Sequence, residues 1–135
     1  MSKPRSIQSQ FQNAIDTIIA GLLATTPYYD MRSEIHGYIA DTRRGRANTD
    51  DMDFTIPYWA YNPDYKHNKK TNGCGYFIYY VAHELSHLIA FKKYGGKVHH
   101  DYRFYEVFMS ICPKEYQHFE LGYKNGATKY GINKK

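Results

Sequence analysis

Residues 83–87 read His-Glu-Leu-Ser-His, and this pentad constrains the chain more than any other stretch. Two histidines four apart on a helix lie about 6 Å from each other along the axis and about 40° around it. Both imidazoles can then reach one Zn²⁺ at roughly 2.0–2.1 Å, and Glu84 between them is placed to take a proton from a water on that ion. The arrangement works only on a helix, and the flanking residues predict one. At about 100° per residue, Tyr80 and Tyr94 fall on the histidine side, whereas Phe77, Val81, Leu85, Leu88 and Ile89 form an apolar stripe on the far side. Gly95-Gly96 is the expected stop, so the helix should run from about Gly75 to Tyr94.

Two histidines do not complete a catalytic zinc site, which takes three protein ligands and leaves a position open. His99 and His100 follow the helix closely enough to fold back through Gly95-Gly96, and the spacing leaves both open as the third ligand.

Ahead of the pentad, Ile7, Phe11, Ile15, Ile18 and Leu22 recur at helical spacing behind a candidate cap at Ser6 and end before Thr25-Thr26-Pro27. From Glu34 to Tyr61 the period becomes two. Ile35, Gly37 and Ile39 alternate with polar neighbours, residues 41–46 turn the chain, and Phe54, Ile56 and Tyr58 alternate again. Two or three antiparallel strands are expected. Asp50, Asp51 and Asp53 lack the glycine and terminal glutamate of a calcium loop and read as a polar turn. Residues 62–75 read as a surface loop with a solvated His67. Past Gly96, the spacing of Phe104, Phe108, Ile111 and Cys112 predicts a second helix stopped by Pro113. Tyr116, Phe119, Leu121 and Tyr123 would form a short last element, with a frayed tail from about 126 to 135. The expected fold class is α+β, in one domain spanning residues 1–135.

With 15 tyrosines and 17% aromatic residues, the core is expected to be built from aromatic plates whose hydroxyls need partners. The net charge of +5 is spread over short clusters: Arg43-Arg44-Arg46, Lys66-Lys69-Lys70, Lys92-Lys93-Lys97 and the lysines from Lys124 to Lys135. These are either a solvated basic surface or a nucleic-acid footprint. Cys74 and Cys112 do not make a disulfide framework, and free thiols in a reducing compartment are expected. The longest mainly apolar run, Ile18 to Ala24, is far below the roughly 18 residues of a membrane span. A cytoplasmic or nucleoid-associated monomer without membrane contact follows.

The run His83-Glu84-Leu85-Ser86-His87-Leu88-Ile89, then Tyr94-Gly95, His100 and Phe104, resembles the SprT-like metallopeptidases, a family that includes a protease acting on DNA–protein crosslinks. The resemblance implies a zincin-like core: an N-terminal helix, a small sheet, the metal helix and a following helix. It favours His100 over His99, so that His83, His87 and His100 would hold Zn²⁺ and Glu84 would act as general base in hydrolysing peptide bonds of a protein substrate, with DNA-associated proteins among the candidates. Family members usually have glycine where this chain has Asp101, and many carry a zinc ribbon or long binding tails; the expectation here is a bare catalytic core. Tyr102, Arg103, Tyr105 and His99 are candidate oxyanion donors. Asp101 and Glu106 are candidate acceptors orienting the imidazoles. The competing reading is a non-catalytic, zinc-stabilised module that binds nucleic acid or protein.

Overall fold

A computed structural model describes residues 5–61, 75–96, 98 and 100–121. Helix α1 (Arg5–Leu23) is followed by a 3-10 turn (Tyr29–Ser33) and strands β1 (His36–Ala40), β2 (Arg46–Asn48) and β3 (Asp53–Pro57). A one-turn helix α2 (Tyr58–Tyr61), the long helix α3 (Gly75–Tyr94) and helix α4 (Tyr102–Ile111) come next. A 3-10 turn (Lys114–Tyr116) and helix α5 (His118–Leu121) complete the described chain, an α+β arrangement.

In α1 the set Ile15, Ile19 and Leu23 is buried, with Ile18 and Leu22 only partly covered. The buried stripe is thus rotated by one residue from the predicted one; positions 7 and 11 of that stripe lie outside the described side chains. Thr26 closes the helix, its N–H and hydroxyl both donating to the Leu23 carbonyl at 3.0 and 2.9 Å.

The sheet corrects the expectation of antiparallel strands. Its order is β1-β3-β2, with β1 parallel to β3 and β2 antiparallel to β3. Parallel neighbours cannot be joined by a tight hairpin, and here residues 41–52 make the crossover, carrying β2 on the far edge. The predicted alternation holds for Ile35, Gly37, Ile39, Phe54 and Ile56, which are buried, but not for Tyr58, which is exposed at the start of α2 where the strand has ended. Asp50 and Asp51 form the expected polar turn, whereas Asp53 is the first residue of β3. The Asn48 side-chain oxygen accepts from the N–H groups of Asp50 and Asp51 at 3.1 and 3.3 Å, and the turn leaves through Met52 at φ 53°.

Helix α3 has the predicted bounds and packs against α1, the sheet and α4 through Phe77, Val81, Leu85, Leu88 and Ile89. It ends on Gly95 at φ 75°, where the N–H groups of Gly95 and Gly96 both reach the Phe91 carbonyl, a left-handed cap that glycine adopts without strain. Asp101 caps α4 by accepting the Arg103 N–H at 2.9 Å, and the helix stops at Cys112 before Pro113. Cys112 is a buried free thiol; Cys74, His67 and the basic tail lie outside the described residues.

The core is mixed rather than built from aromatic plates. Phe54, Phe104, Tyr105 and Phe108 are buried among Ile15, Ile39, Ile56, Leu85 and Ile89. Most of the remaining rings form a belt along α3, in which Trp59 stacks on Tyr76 at 6.0 Å and Tyr76 meets Phe119 edge-on at 4.9 Å. Tyrosine hydroxyls find water or a partner at such a margin more readily than in an apolar centre. Among the described residues no helix is long and apolar enough to cross a membrane.

Candidate metal centre

One turn of α3 puts His83 and His87 side by side, ring centroids 5.1 Å apart, and the Gly95-Gly96 reversal brings His100 to within 5.0 and 4.7 Å of them. One possible ligand atom from each of the three lies within 4.8 Å of the others. Phe104, buried in the first turn of α4, lies 4.6–5.1 Å from all three imidazoles and forms their floor. His99, the alternative third ligand, lies outside the described residues.

The orienting acceptor is a residue that periodicity does not point to. Glu120, on α5, accepts from His83 Nδ1 at 2.9 Å and from the Tyr79 hydroxyl at 2.6 Å through Oε1, and from the Tyr105 hydroxyl at 2.8 Å through Oε2. Burial alone would raise its pKa, but the His83 hydrogen bond and charge together with the two phenols hold it down at about 2. Burial likewise acts to lower His83, yet Glu120 outweighs it and the pKa is raised. With Nδ1–H committed to the carboxylate, His83 keeps Nε2 for a ligand, the carboxylate–histidine pairing common behind metal sites.

His87 is pushed down to about 3 by burial and by the positive charge that His83 and His100 would carry; a hydrogen bond to the Val98 backbone opposes this. Its Nε2 lies 2.9 Å from His100 Nε2. Two neutral rings span that distance with one N–H···N hydrogen bond, and the same two nitrogens lie within reach of a single ion together with His83. Three nitrogen donors suit Zn²⁺ and other borderline divalent ions.

Glu84, 6% exposed, is raised to about 7, chiefly by burial, with His83 lowering it and Glu120 raising it further. It faces β2 across a narrow gap. A Cβ added to Gly45 would lie 2.6 Å from the Thr55 carbonyl oxygen, 2.7 Å from the Tyr80 ring and 3.1 Å from Glu84 Oε2. The Gly45 N–H donates to the Tyr80 hydroxyl at 2.8 Å. Glycine at 45 therefore lets the segment that leads into β2 approach α3, a role its place in a turn-like run conceals. The three histidines, Glu84 and Tyr80 line an open cleft of about 630 Å³ whose opposite wall is residues 44–50.

Several expected supporting residues do other work. Asp101 bonds Arg103, and Glu106 bonds Tyr94 and Lys93 at the surface; neither contact involves the histidines. Tyr102 is 63% exposed, Arg103 pairs with Asp101, and Tyr105 bonds Glu120. None of the three lines the cleft. Tyr80, which helical phase does place on the histidine side, lines it, as does Thr49 from the opposite wall.

No protein-family model, curated protein or solved structure matches the chain.

Proposed function

We propose that this chain is a zinc-dependent metalloendopeptidase with a zincin-like site of the SprT-like kind, its metal held by His83, His87 and His100 and its general base Glu84. The observation that carries the reading is the convergence of three imidazoles beside a buried carboxyl at the foot of an open cleft. The zinc-stabilised binding module is the weaker reading, because a structural zinc site is closed by a fourth protein ligand, and among the described residues no fourth side chain joins the three.

A bound Zn²⁺ would supply Lewis acidity, lowering the pKa of water towards 7 and polarising a carbonyl. The chain's own residues do the rest. Glu84 accepts the proton of the attacking water and returns it to the leaving amine, a task suited to a carboxyl that burial holds near neutrality. Glu120 orients His83, and Phe104 fixes the plane on which the three rings rest. The Tyr80 hydroxyl accepts the Gly45 N–H, which leaves its own proton available as a donor to a substrate carbonyl. The strand β2, at the sheet edge, flanks the cleft and can lie along an extended polypeptide.

The test is Glu84→Gln. Elemental analysis should still find one zinc per chain, while cleavage of an unfolded protein substrate falls by about 10²–10⁴-fold. Undiminished cleavage in that variant would refute the mechanism.

A further inference from the structure

Arg44 and Arg46 stand on either side of Gly45 at the lip of the cleft. Both are exposed, and among the described residues neither has a carboxylate partner. Elsewhere Lys92 pairs with Glu34, Lys93 with Glu106 and Arg103 with Asp101, and Arg43, exposed like its neighbours, does not line the cleft. The turn that carries the two arginines is held at three points. The Trp59 indole N–H donates to the Arg43 carbonyl at 2.9 Å, the Thr42 hydroxyl to the Arg44 carbonyl at 3.3 Å, and the Gly45 N–H to Tyr80 at 2.8 Å. Packing of Gly45 against Thr55 and Glu84 leaves the segment no room to slide. Two guanidinium groups are thus presented on a pre-positioned backbone beside Glu84.

A guanidinium matches a carboxylate in shape as well as in charge, and unpaired charge at a cleft mouth selects and steers ligands of the opposite sign. We propose that Arg44 and Arg46 select acidic side chains flanking the scissile bond, so that the preferred substrates are protein segments rich in Asp and Glu; this rests on the peptidase reading. A nucleic-acid strand fits the same feature less well. Its uninterrupted row of phosphates would also meet Glu84 and Asp50 in the same cleft, whereas a peptide can place isolated acids opposite the arginines alone.

The experiment uses the zinc-loaded Glu84→Gln chain as a binding form. It is titrated with two labelled peptides of equal length and apolar content, one bearing Glu and the other Lys around its central bond. The Glu peptide should bind about tenfold tighter, with the preference shrinking as salt rises. The preference should invert in Glu84→Gln carrying Arg44→Glu and Arg46→Glu, and misfolding cannot produce an inversion. Unsubstituted protein should show the same order in kcat/KM. Cleavage of both peptides at equal rates, or equal binding of the two, overturns the proposal and leaves the peptidase reading standing. Selective binding that inverts, without cleavage by the unsubstituted chain, upholds the acidic selectivity and sinks the peptidase. A single-stranded oligonucleotide that binds more tightly than the Glu peptide, and loses that binding with both arginines reversed, assigns the pair to phosphate and overturns the proposal.

Discussion

Glu120 shows how much of a candidate metal site can rest on a side chain outside the three histidines. It gathers three donors on two oxygens, with 11% of the side chain exposed, and each donor is fixed by the same carboxylate. Glu120→Gln should weaken zinc affinity by about 10–100-fold, read by competition against a chromophoric chelator. Tyr79→Phe and Tyr105→Phe should cost less, because each removes one donor and leaves the His83 bond intact. Equal zinc affinity in Glu120→Gln and the unsubstituted chain would remove the orienting role. Gly45 makes a second demand of this kind. An alanine there meets the Thr55 carbonyl, a backbone atom that cannot swing aside, so Gly45→Ala should cost about 1–3 kcal/mol and lower cleavage by displacing β2 from Glu84. Thermal melting and kcat/KM measured together would check both parts. His83, Glu84 and His87 are legible because one helical turn sets their positions, whereas the glycine reversal left His99 and His100 both open and only the resemblance favoured His100. Glu120 is not legible, since it lies 37 residues from His83 and no period connects them.

At the scale of elements, the helices are readable and the sheet only half so. Alternation in residues 35–39 and 54–56 reports which face is buried, and those faces are as expected. It carries nothing about which strand lies beside which or in what direction, and that is where the antiparallel expectation failed. Helix α3 was readable to its ends because the stripe and the glycine cap agree. The start of α4 is likewise local. Asp101 caps it directly after His100, so the cap that begins the helix also anchors the third ligand. Asp101→Ala should therefore cost about 1 kcal/mol, whereas Asp101→Gly should cost only a few tenths. Urea denaturation of the metal-free protein measures both, and an Asp101→Ala chain as stable as the unsubstituted one would show that the side-chain cap contributes nothing.

For the whole molecule, the buried cluster couples folding to pH and to metal. Glu120 has its folded pKa depressed to about 2 from an ordinary 4.5. Its contribution is complete above about 4.5 and is lost as pH falls towards 2, a window worth roughly 3 kcal/mol by linkage. His87, depressed from 6.5 to about 3, acts in the same sense, because below 6.5 the unfolded chain takes up a proton that the folded chain refuses. Glu84, raised from 4.5 to about 7, acts oppositely, its contribution being complete below 4.5 and lost as pH rises to 7. Between about 4.5 and 6.5 His87 and Glu84 oppose each other, whereas below 4.5 Glu120 and His87 fall together. Metal-free protein should accordingly show a nearly level Tm from pH 5 to 6.5 and a steep decline below 4.5. Zinc alters that profile, since a ligand must be unprotonated and the raised pKa of His83 keeps a proton in competition. The zinc-dependent stabilisation, read as a rise in Tm, should be small at pH 5 and grow through pH 7.5, reaching about 2.7 kcal/mol at a hundredfold excess over Kd. Calorimetry with zinc and with chelator across this range decides the matter: a Tm indifferent to zinc at neutral pH would mean that the three imidazoles do not act as ligands.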